Sequence, residues 1–440
     1  MILYPHYIGV SMLKIAVCGL GTVGKSFVDH FIKYQDLISK NCGQEIEIAI
    51  IADRSIDKKK FNHDSIEFSS DILSVIDSDC NLIIELIGGC EIALQLVKKA
   101  IQNKKSVITA NKALIAEHGD ELFELSKKNK VYLGFEAAVA GAVPIINALT
   151  HNMLNENILS ISGIVNGTCN YILDQMSSDN KDFSEALKNA KELGYAEADP
   201  TFDIGGFDAA HKISILAMLA YNIKSPYKNM HIEGIESIET MDIDYATELG
   251  YKIKHIALAK RTNSQIECRA HPVLIHQTNI LSNIDGVMNA VSTRGDRFGT
   301  SLLYGHGAGG DATASAVVSN ISDYCNYSHK DLDRDSKKDT NDELVSVMNI
   351  NDICSQYYLR IFANDVPGVM AEVTSTLASH KISIEAVTQH EPLKDDKLIP
   401  IVMITNSVSY KSILSSINTI ESLDNISGKV NLIRVFNDND

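Results

Sequence analysis

The chain of 440 residues contains no tryptophan, only eight prolines and eight cysteines, and fewer basic than acidic side chains, with 40 Lys and Arg against 56 Asp and Glu. Each shortage excludes something. A formal net charge of −16 leaves no broad basic footprint for nucleic acid or for an anionic membrane surface, while a local basic pocket for a phosphate stays open. The cysteines are scattered without CxxC spacing, which fits reduced thiols in the cytoplasm and argues against a disulfide framework or a zinc site. The longest uncharged stretches, such as Ala137 to Asn155, carry Pro144, Asn147, His151 and Asn152, so none reads as a membrane span. The first eleven residues lack a basic start and a small-residue cleavage site, so no secretory signal is expected, and they read as an extension before Met12. What is present is a 45% hydrophobic content, enough for a sizeable core spread over roughly two or three domains.

Lys14 to Cys18 (KIAVC) is a short aliphatic strand that runs into Gly19-Leu20-Gly21-Thr22-Val23-Gly24 and then the helical pattern KSFVDHFIKY. Glycines at these three places allow a tight turn, close approach of backbone N–H groups to a pyrophosphate, and close packing of helix on strand. Following a strand and opening a helix, the motif favours a Rossmann-type dinucleotide site over a plain structural turn. The next strand, Glu45 to Ala52, ends in Asp53-Arg54, where the adenosine ribose is read. Asp53 suits a free 2′-hydroxyl; Arg54, followed by Lys58, Lys59 and Lys60, suits a 2′-phosphate or is merely part of a solvated charge run. NAD and NADP both fit, with NADP favoured. Two further strands of parallel type, Asn81 to Ile87 and Ser106 to Ala110, flank the amphipathic segment Ala93 to Gln102 and deliver Gly88-Gly89 and Asn111-Lys112 to the ligand crevice.

Gly194 to Lys212 reads GYAEADPTFDIGGFDAAHK. From Phe207 the pattern is helical, so Asp208 and Lys212, four apart, share a face that continues through Ile215, Leu216 and Leu219. The pair is either a salt bridge closing a helix end or an ion pair at the edge of a core, where an ammonium can be tuned for proton transfer.

Between Thr150 and His306 the pattern turns to β-rich runs, Ile158 to Val165, Gln265 to Ile275 and Gly286 to Val291, with helices expected at Ser184 to Leu193 and Thr247 to Lys260. Such a hydrophobic sheet needs a cover, and subunit pairing into a homodimer or homotetramer would supply it. Gly307 to Gly310 precedes a helix expected from Thr313 that returns to the nucleotide domain, with Gly309 near the cofactor. The polar stretch Tyr327 to Asp342 reads as a solvated linker. Beyond it come strand, DVPG turn, helix, two strands, helix and strand, a βαββαβ order. The expected class is therefore α/β: a nucleotide domain over residues 12–149 completed by 307–325, an α+β substrate and dimerisation domain over 150–306, a linker over 326–354, and a C-terminal module over 355–440.

IGG (Ile87 to Gly89), TANKAL (Thr109 to Leu114), EAAVAGAVPII (Glu136 to Ile146), GIVNGTCNYIL (Gly163 to Leu173), GYAEADP, FDAAHK and GAGGDATASAV (Gly307 to Val317) occur in the order and register of the homoserine dehydrogenase family, which the chain resembles from about Lys14 to Ile321. The C-terminal DVPGVMAEV segment resembles an ACT domain, a module that binds amino acids in related enzymes. The resemblance implies reversible, NAD(P)-dependent reduction of aspartate 4-semialdehyde to L-homoserine. It implies Lys212 as proton donor and acceptor, Asp208 as substrate-orienting group, and Lys112 in contact with cofactor and substrate. Glu197 would meet the substrate amino group, and Gly194 would belong to the substrate-binding turn. It further implies a sodium ion held at Glu136, Val139, Gly141 and Val143, and threonine as a feedback effector on the loop Asn364 to Met370. This chain carries Ala140 and Ala142 where the family often has glycine, and Asn406-Ser407 at a position the family uses for effector contact. The proximity of two lysines is expected to lower at least one of their pKa values. Two other activities are weighed: a semialdehyde dehydrogenase using Cys169 or Cys90 as nucleophile, and a catalytically inactive amino-acid sensor.

Overall fold

The computed structural model describes residues 12–55, 65–326, 346–390 and 398–437. Lys58, Lys59 and Lys60 and the stretch Tyr327 to Asp342 lie outside the described residues. Strands β1 (Leu13–Cys18), β2 (Ile46–Ala52), β3 (Glu67–Ser69), β4 (Leu82–Glu85), β5 (Ser106–Thr109) and β6 (Leu133–Gly134) pair in parallel in the order β3-β2-β1-β4-β5-β6. The order reverses at β1, so a crevice opens beyond the C-terminal ends of β1 and β4. β1 reads as a nearly continuous apolar run because both of its faces are covered. Ile15 and Val17 meet Phe27, Val28 and Phe31 on one side, and Ala16 and Cys18 join Leu96 and Val97 on the other.

The helix Thr22–Cys42 leaves the glycine turn after β1. Helix Gly310–Asn326 packs beside it, with Ala314, Val317 and Ile321 in the same core cluster as Phe27 and Phe31. It starts three residues before the expected Thr313, and Gly310 is pressed against Ser26, where a Cβ would lie 2.3 Å from the hydroxyl oxygen. Helix Lys112–Asn129 ends at exposed Lys130, which adopts a left-handed φ of 57°. A side chain is strained there, so Lys130→Gly is expected to raise stability by about 0.5–1 kcal/mol, read as a higher urea midpoint.

A second, mixed sheet is built from β7 (Ile158–Ile164), β8 (His231–Ile232), β9 (Tyr251–Thr262), β10 (Gln265–His276), β11 (Met288–Gly295), β12 (Gly299–His306) and β13 (Ser346–Val347). The segment expected as a helix from Thr247 to Lys260 is a correction. The helix there is Thr240–Glu248, and β9 follows. Alanines and lysines gave Tyr251–Thr262 a helix-like composition, but it is buried between β7 and β10, and that tertiary environment overrides local propensity. Helix Phe207–Tyr221 lies across β9 and β10, bringing Ala210, Ile213 and Ala217 into one core with Ala257 and Ala259.

The C-terminal module follows β14 (Cys354–Ser355): β15 (Tyr357–Asn364), helix Val369–Ser379, β16 (Ile384–Gln389), β17 (Leu398–Thr405), β18 (Val408–Ser409), helix Tyr410–Ile420 and β19 (Ile426–Phe436). The expected βαββαβ order is present. Its sheet is not separate, however: β19 pairs in parallel with β10, Val273 opposite Arg434 and Ile275 opposite Phe436. The described part of the expected linker is also paired, β13 with β10 and β14 with β18. A buried cluster joins the two modules. The Asp242 carboxylate accepts from Arg360 Nε (2.7 Å) and NH2 (3.1 Å), Tyr358 Oη (2.9 Å) and Asn431 Nδ2 (2.8 Å), and Asp242 is fully buried.

Candidate active site

Gly19 has φ = 99°, and a Cβ on it would stand 2.5 Å from the Leu86 carbonyl oxygen; on Gly24 a Cβ would stand 2.0 Å from the Gly19 oxygen. These two glycines let strand, turn and helix close together, whereas Gly21, Gly88, Gly89 and Gly309 have nothing within 4 Å of an added Cβ. The helix beginning at Thr22 has no side-chain cap and no acidic residue in its first turn. Its leading N–H groups therefore suit an anion. The residues present fit a dinucleotide pyrophosphate at Gly19 to Gly24, with Leu20, Thr22 and Val23 between the glycines. Asp53, at the end of β2, accepts from Leu20 N at 2.7 Å and from Ser55 N at 2.8 Å, while Arg54 is exposed.

Asn111 caps the helix Lys112–Asn129 through Leu114 N and donates to the Gly89 carbonyl at 2.7 Å. This places Lys112 at the mouth of the crevice. From the other side, helix Phe207–Tyr221 brings Asp208 and Lys212, both buried. Asp208 Oδ1 holds Lys112 Nζ at 3.0 Å, and Oδ2 holds Lys212 Nζ at 2.8 Å. Lys212 also donates to the Val165 carbonyl at 2.6 Å. Its side chain is 9% exposed, against 35% for Lys112. Lys112 Nζ stands 5.6 Å from the centre of the Phe202 ring.

Burial alone would raise the Asp208 carboxyl, but the ammoniums of Lys212 and Lys112 hold it well below the usual carboxylate range. The expected lowering of a lysine pKa is not found at Lys112. Asp208 sits between the two cations, and its charge raises Lys112 against the opposing effect of burial, with Asp203 and Glu197 adding to the same field.

Three contributors escaped the sequence reading. Asn166, after β7, caps the helix Gly167–Ser178 and donates to both Asp203 (2.8 Å) and Asp208 (2.9 Å). Asp203 is thereby drawn in, with its carboxyl raised by burial and by Asp208. The Val165 carbonyl, which also accepts from Asn289 Nδ2, fixes Lys212. Asn166 lies within the NGTCN segment, but its side-chain type carries no chemical signal until packing sets it between two carboxylates. Exposed Glu197 and Gly194 lie on the turn before Asp203.

The loop Glu136 to Pro144 turns at Ala140 (φ 56°) and Gly141 (φ 50°), so alanine occupies a left-handed position where glycine is easier. The buried Glu136 carboxylate accepts from Ile146 N and Asn147 N, and burial pushes it up to about 7. The carbonyls of Glu136 and Val143 each accept one N–H, leaving each a second lone pair. Cys169 is fully buried, donates to the Asp203 carbonyl, and has its thiol pushed up by burial; Cys90 is raised for the same reason. Neither is an activated nucleophile. A cavity of about 320 Å³ lies elsewhere, lined by Ser160, Lys260, Glu267, Arg269 and His271, and contains none of the lysine and aspartate cluster.

A doubly wound sheet with an open glycine turn, facing a buried carboxylate that holds two ammoniums, defines an oxidoreductase with a nicotinamide-dinucleotide domain. Sequence comparison resolves which one. Family profiles match for the homoserine dehydrogenase NAD-binding domain at residues 19–136, homoserine dehydrogenase at 144–322 and the ACT domain at 357–422. The chain is 41% identical to the homoserine dehydrogenase of Pseudomonas aeruginosa over 428 residues, covering 96% of this chain and 98% of that one. The crystal structure of a homoserine dehydrogenase from Thiobacillus denitrificans superposes with a TM-score of 0.89 at 37% identity, covering 98% and 99% of the two chains. A hyperthermophilic archaeal homoserine dehydrogenase in complex with NADPH superposes with a TM-score of 0.60 at 28% identity, covering 71% of this chain and 97% of that one. The chain belongs to the homoserine dehydrogenase family. No helix among the described residues is long and apolar enough to cross a membrane.

Proposed function

We propose that the chain reduces L-aspartate 4-semialdehyde to L-homoserine and catalyses the reverse oxidation, in the biosynthesis of threonine, methionine and isoleucine, with Lys212 moving the proton. The observation that carries this reading is Asp208 holding Lys112 and Lys212 on its two oxygens at the crevice. A nicotinamide held in the crevice would supply or accept the hydride. Lys212, fixed by Asp208 and Val165, gives its proton to the carbonyl oxygen as charge builds there and takes it back in the oxidation. Lys112, kept cationic by Asp208, stabilises the same oxygen as an alkoxide. Asp208 orients both amines, and Glu197 with the Gly194 turn holds the substrate amino group. The inactive-sensor alternative is disfavoured by the intact set of Lys112, Glu197, Asp208 and Lys212.

Gly19 to Gly24 would hold the pyrophosphate, Asp53 and Arg54 would read the ribose, and Gly89, Lys112 and Gly309 would border the nicotinamide end. NADP is favoured because both Asp53 oxygens already accept protein N–H groups and exposed Arg54 is free to meet a 2′-phosphate. Arg54→Ala is expected to raise KM for NADP about 10-fold, the value of one charge-assisted bond, with little change for NAD; equal losses would remove Arg54 from that role. A monovalent cation such as sodium fits the carbonyls of Glu136, Val139, Gly141 and Val143, whose lone pairs suit a hard ion. No cluster of acidic, His or Cys side chains among the described residues competes with them for a metal.

The C-terminal module would bind threonine at Asn364 to Met370, where the helix Val369–Ser379 begins without a side-chain cap after Gly368 (φ 104°). Asn406 here ties β17 to β16 through Ser383. Initial rates of homoserine oxidation with NAD and with NADP, each with and without threonine, test cofactor choice and feedback together. A homodimer or homotetramer, paired across the mixed sheet in the cytoplasm, completes the proposal.

A further inference from the structure

Arg434 is the last cation of the described chain and is 1% exposed, although it belongs to the C-terminal module. A buried guanidinium needs a partner. Arg434 finds it outside its own module, donating to Glu233 Oε2 at 2.8 Å while stacking over Tyr410 at 4.6 Å. Burial would raise the Glu233 carboxyl, but a hydrogen bond to His231 and the charge of Arg434 hold it down at about 2, so the link is ionic at any working pH.

Glu233 itself sits against the start of the catalytic helix. Its main-chain oxygen pairs with His255 Nε2 at 3.0 Å. A Cβ on Gly206 would lie 2.8 Å from that same oxygen and 3.0 Å from the His255 nitrogen. Ile235 N donates to the Ile204 carbonyl at 2.9 Å, and a Cβ on Gly234 would stand 2.3 Å from the Ile204 oxygen, so the two backbones are in direct contact. Gly206, at φ = 83°, precedes the first residue of helix Phe207–Tyr221, and its carbonyl accepts from Ala210 N. Asp203 and Asp208 flank this turn on either side. The turn is tightly packed: at φ = 83° and with the Glu233 oxygen and the buried His255 ring this close, a side chain at position 206 would be strained.

We infer that Arg434 is a positioning residue for the reaction: through Glu233 and the Gly206 turn it sets the placement of Asp208, and hence of both lysines. The inference rests on the proposed role of the Asp208 and Lys212 pair. It makes the C-terminal module part of the catalytic geometry, whatever effector that module takes.

The test uses full-length Arg434→Met, Glu233→Gln, the double variant, Arg434→Lys and Lys212→Ala, assayed for homoserine oxidation with thermal unfolding followed in parallel. Expected are an approximately 10-fold lower kcat in each of the first two, an unchanged KM for the dinucleotide, partial recovery in Arg434→Lys, and a double variant no slower than the singles. Non-additivity of that kind marks one pathway. A merely structural role would lower the unfolding temperature and leave kcat per folded molecule alone. A kcat within about two-fold of the parent in folded Arg434→Met, or additive losses in the double variant, overturns the inference. Should Arg434→Met not fold, Glu233→Gln is judged by the same criterion. Full activity in Lys212→Ala would instead sink the site reading beneath it.

Discussion

Lys212→Ala is expected to lower kcat for homoserine oxidation by about 10³-fold or more, the scale of a lost general acid–base group, while dinucleotide binding measured by fluorescence titration stays within a few-fold of the parent. The separation follows from where the amine stands. Lys212 touches Asp208 and the Val165 carbonyl, and neither belongs to the glycine turn or to the Gly88-Gly89 loop. Truncation leaves Asp208 paired with Lys112 at 3.0 Å, so the remaining carboxylate keeps a counter-charge and the helix keeps its reason to stay in place. Lys212→Arg would retain charge but not recover rate, because a guanidinium does not release its proton near neutral pH. If dinucleotide affinity and turnover fell together, misfolding and not lost proton transfer would be the cause.

Asp242→Ala is expected to cost about 3–5 kcal/mol in chemical unfolding, the usual penalty for removing one partner of a buried ion pair. Five groups lose this acceptor at once: the Nε and NH2 of Arg360, the Tyr358 hydroxyl, the Asn431 amide and the Glu239 backbone N–H. Arg360 keeps Glu239 at 2.9 Å, but that carboxylate is 60% exposed and replaces little of the lost field. The double change Asp242→Ala with Arg360→Met should lose less than the single, because it leaves no buried charge unpaired. A single-variant loss under about 1 kcal/mol would mean that water reaches the cluster and satisfies it.

The parts of this arrangement that were legible in the sequence are those set by short-range geometry. Asp208 and Lys212 share a face because four residues make about one helical turn, and Gly19 to Gly24 announces its turn because only glycine tolerates the contacts at Gly19 and Gly24. Asn166 and Asp203 were not legible, since their meeting depends on β7 and the Gly206 turn converging. Lys112 is raised and not lowered for a related reason. The family resemblance put two cations near each other, and spacing paired only Lys212 with Asp208, so that one carboxylate stands between both lysines was not foreseen. The helix expected over Thr247 to Lys260 gives way to β9 for most of its length, because the neighbouring strands and not local propensity decide that segment. The polar stretch before Ser346 concealed the continuity of β10 with β19, a pairing of residues about 160 positions apart that no local pattern encodes.

One flank of β10 is satisfied piecemeal: Ser346 and Val347 near its start, His231 and Ile232 at its middle, and Arg434 to Phe436 towards its end. Cutting the chain after residue 326 would strip the first and third of these and bare their backbone N–H and C=O groups. Exposed rows of that kind recruit other chains. A shortened version should therefore self-associate or precipitate unless its outer strand is re-blunted with charge, so the final segment acts as a guard against aggregation.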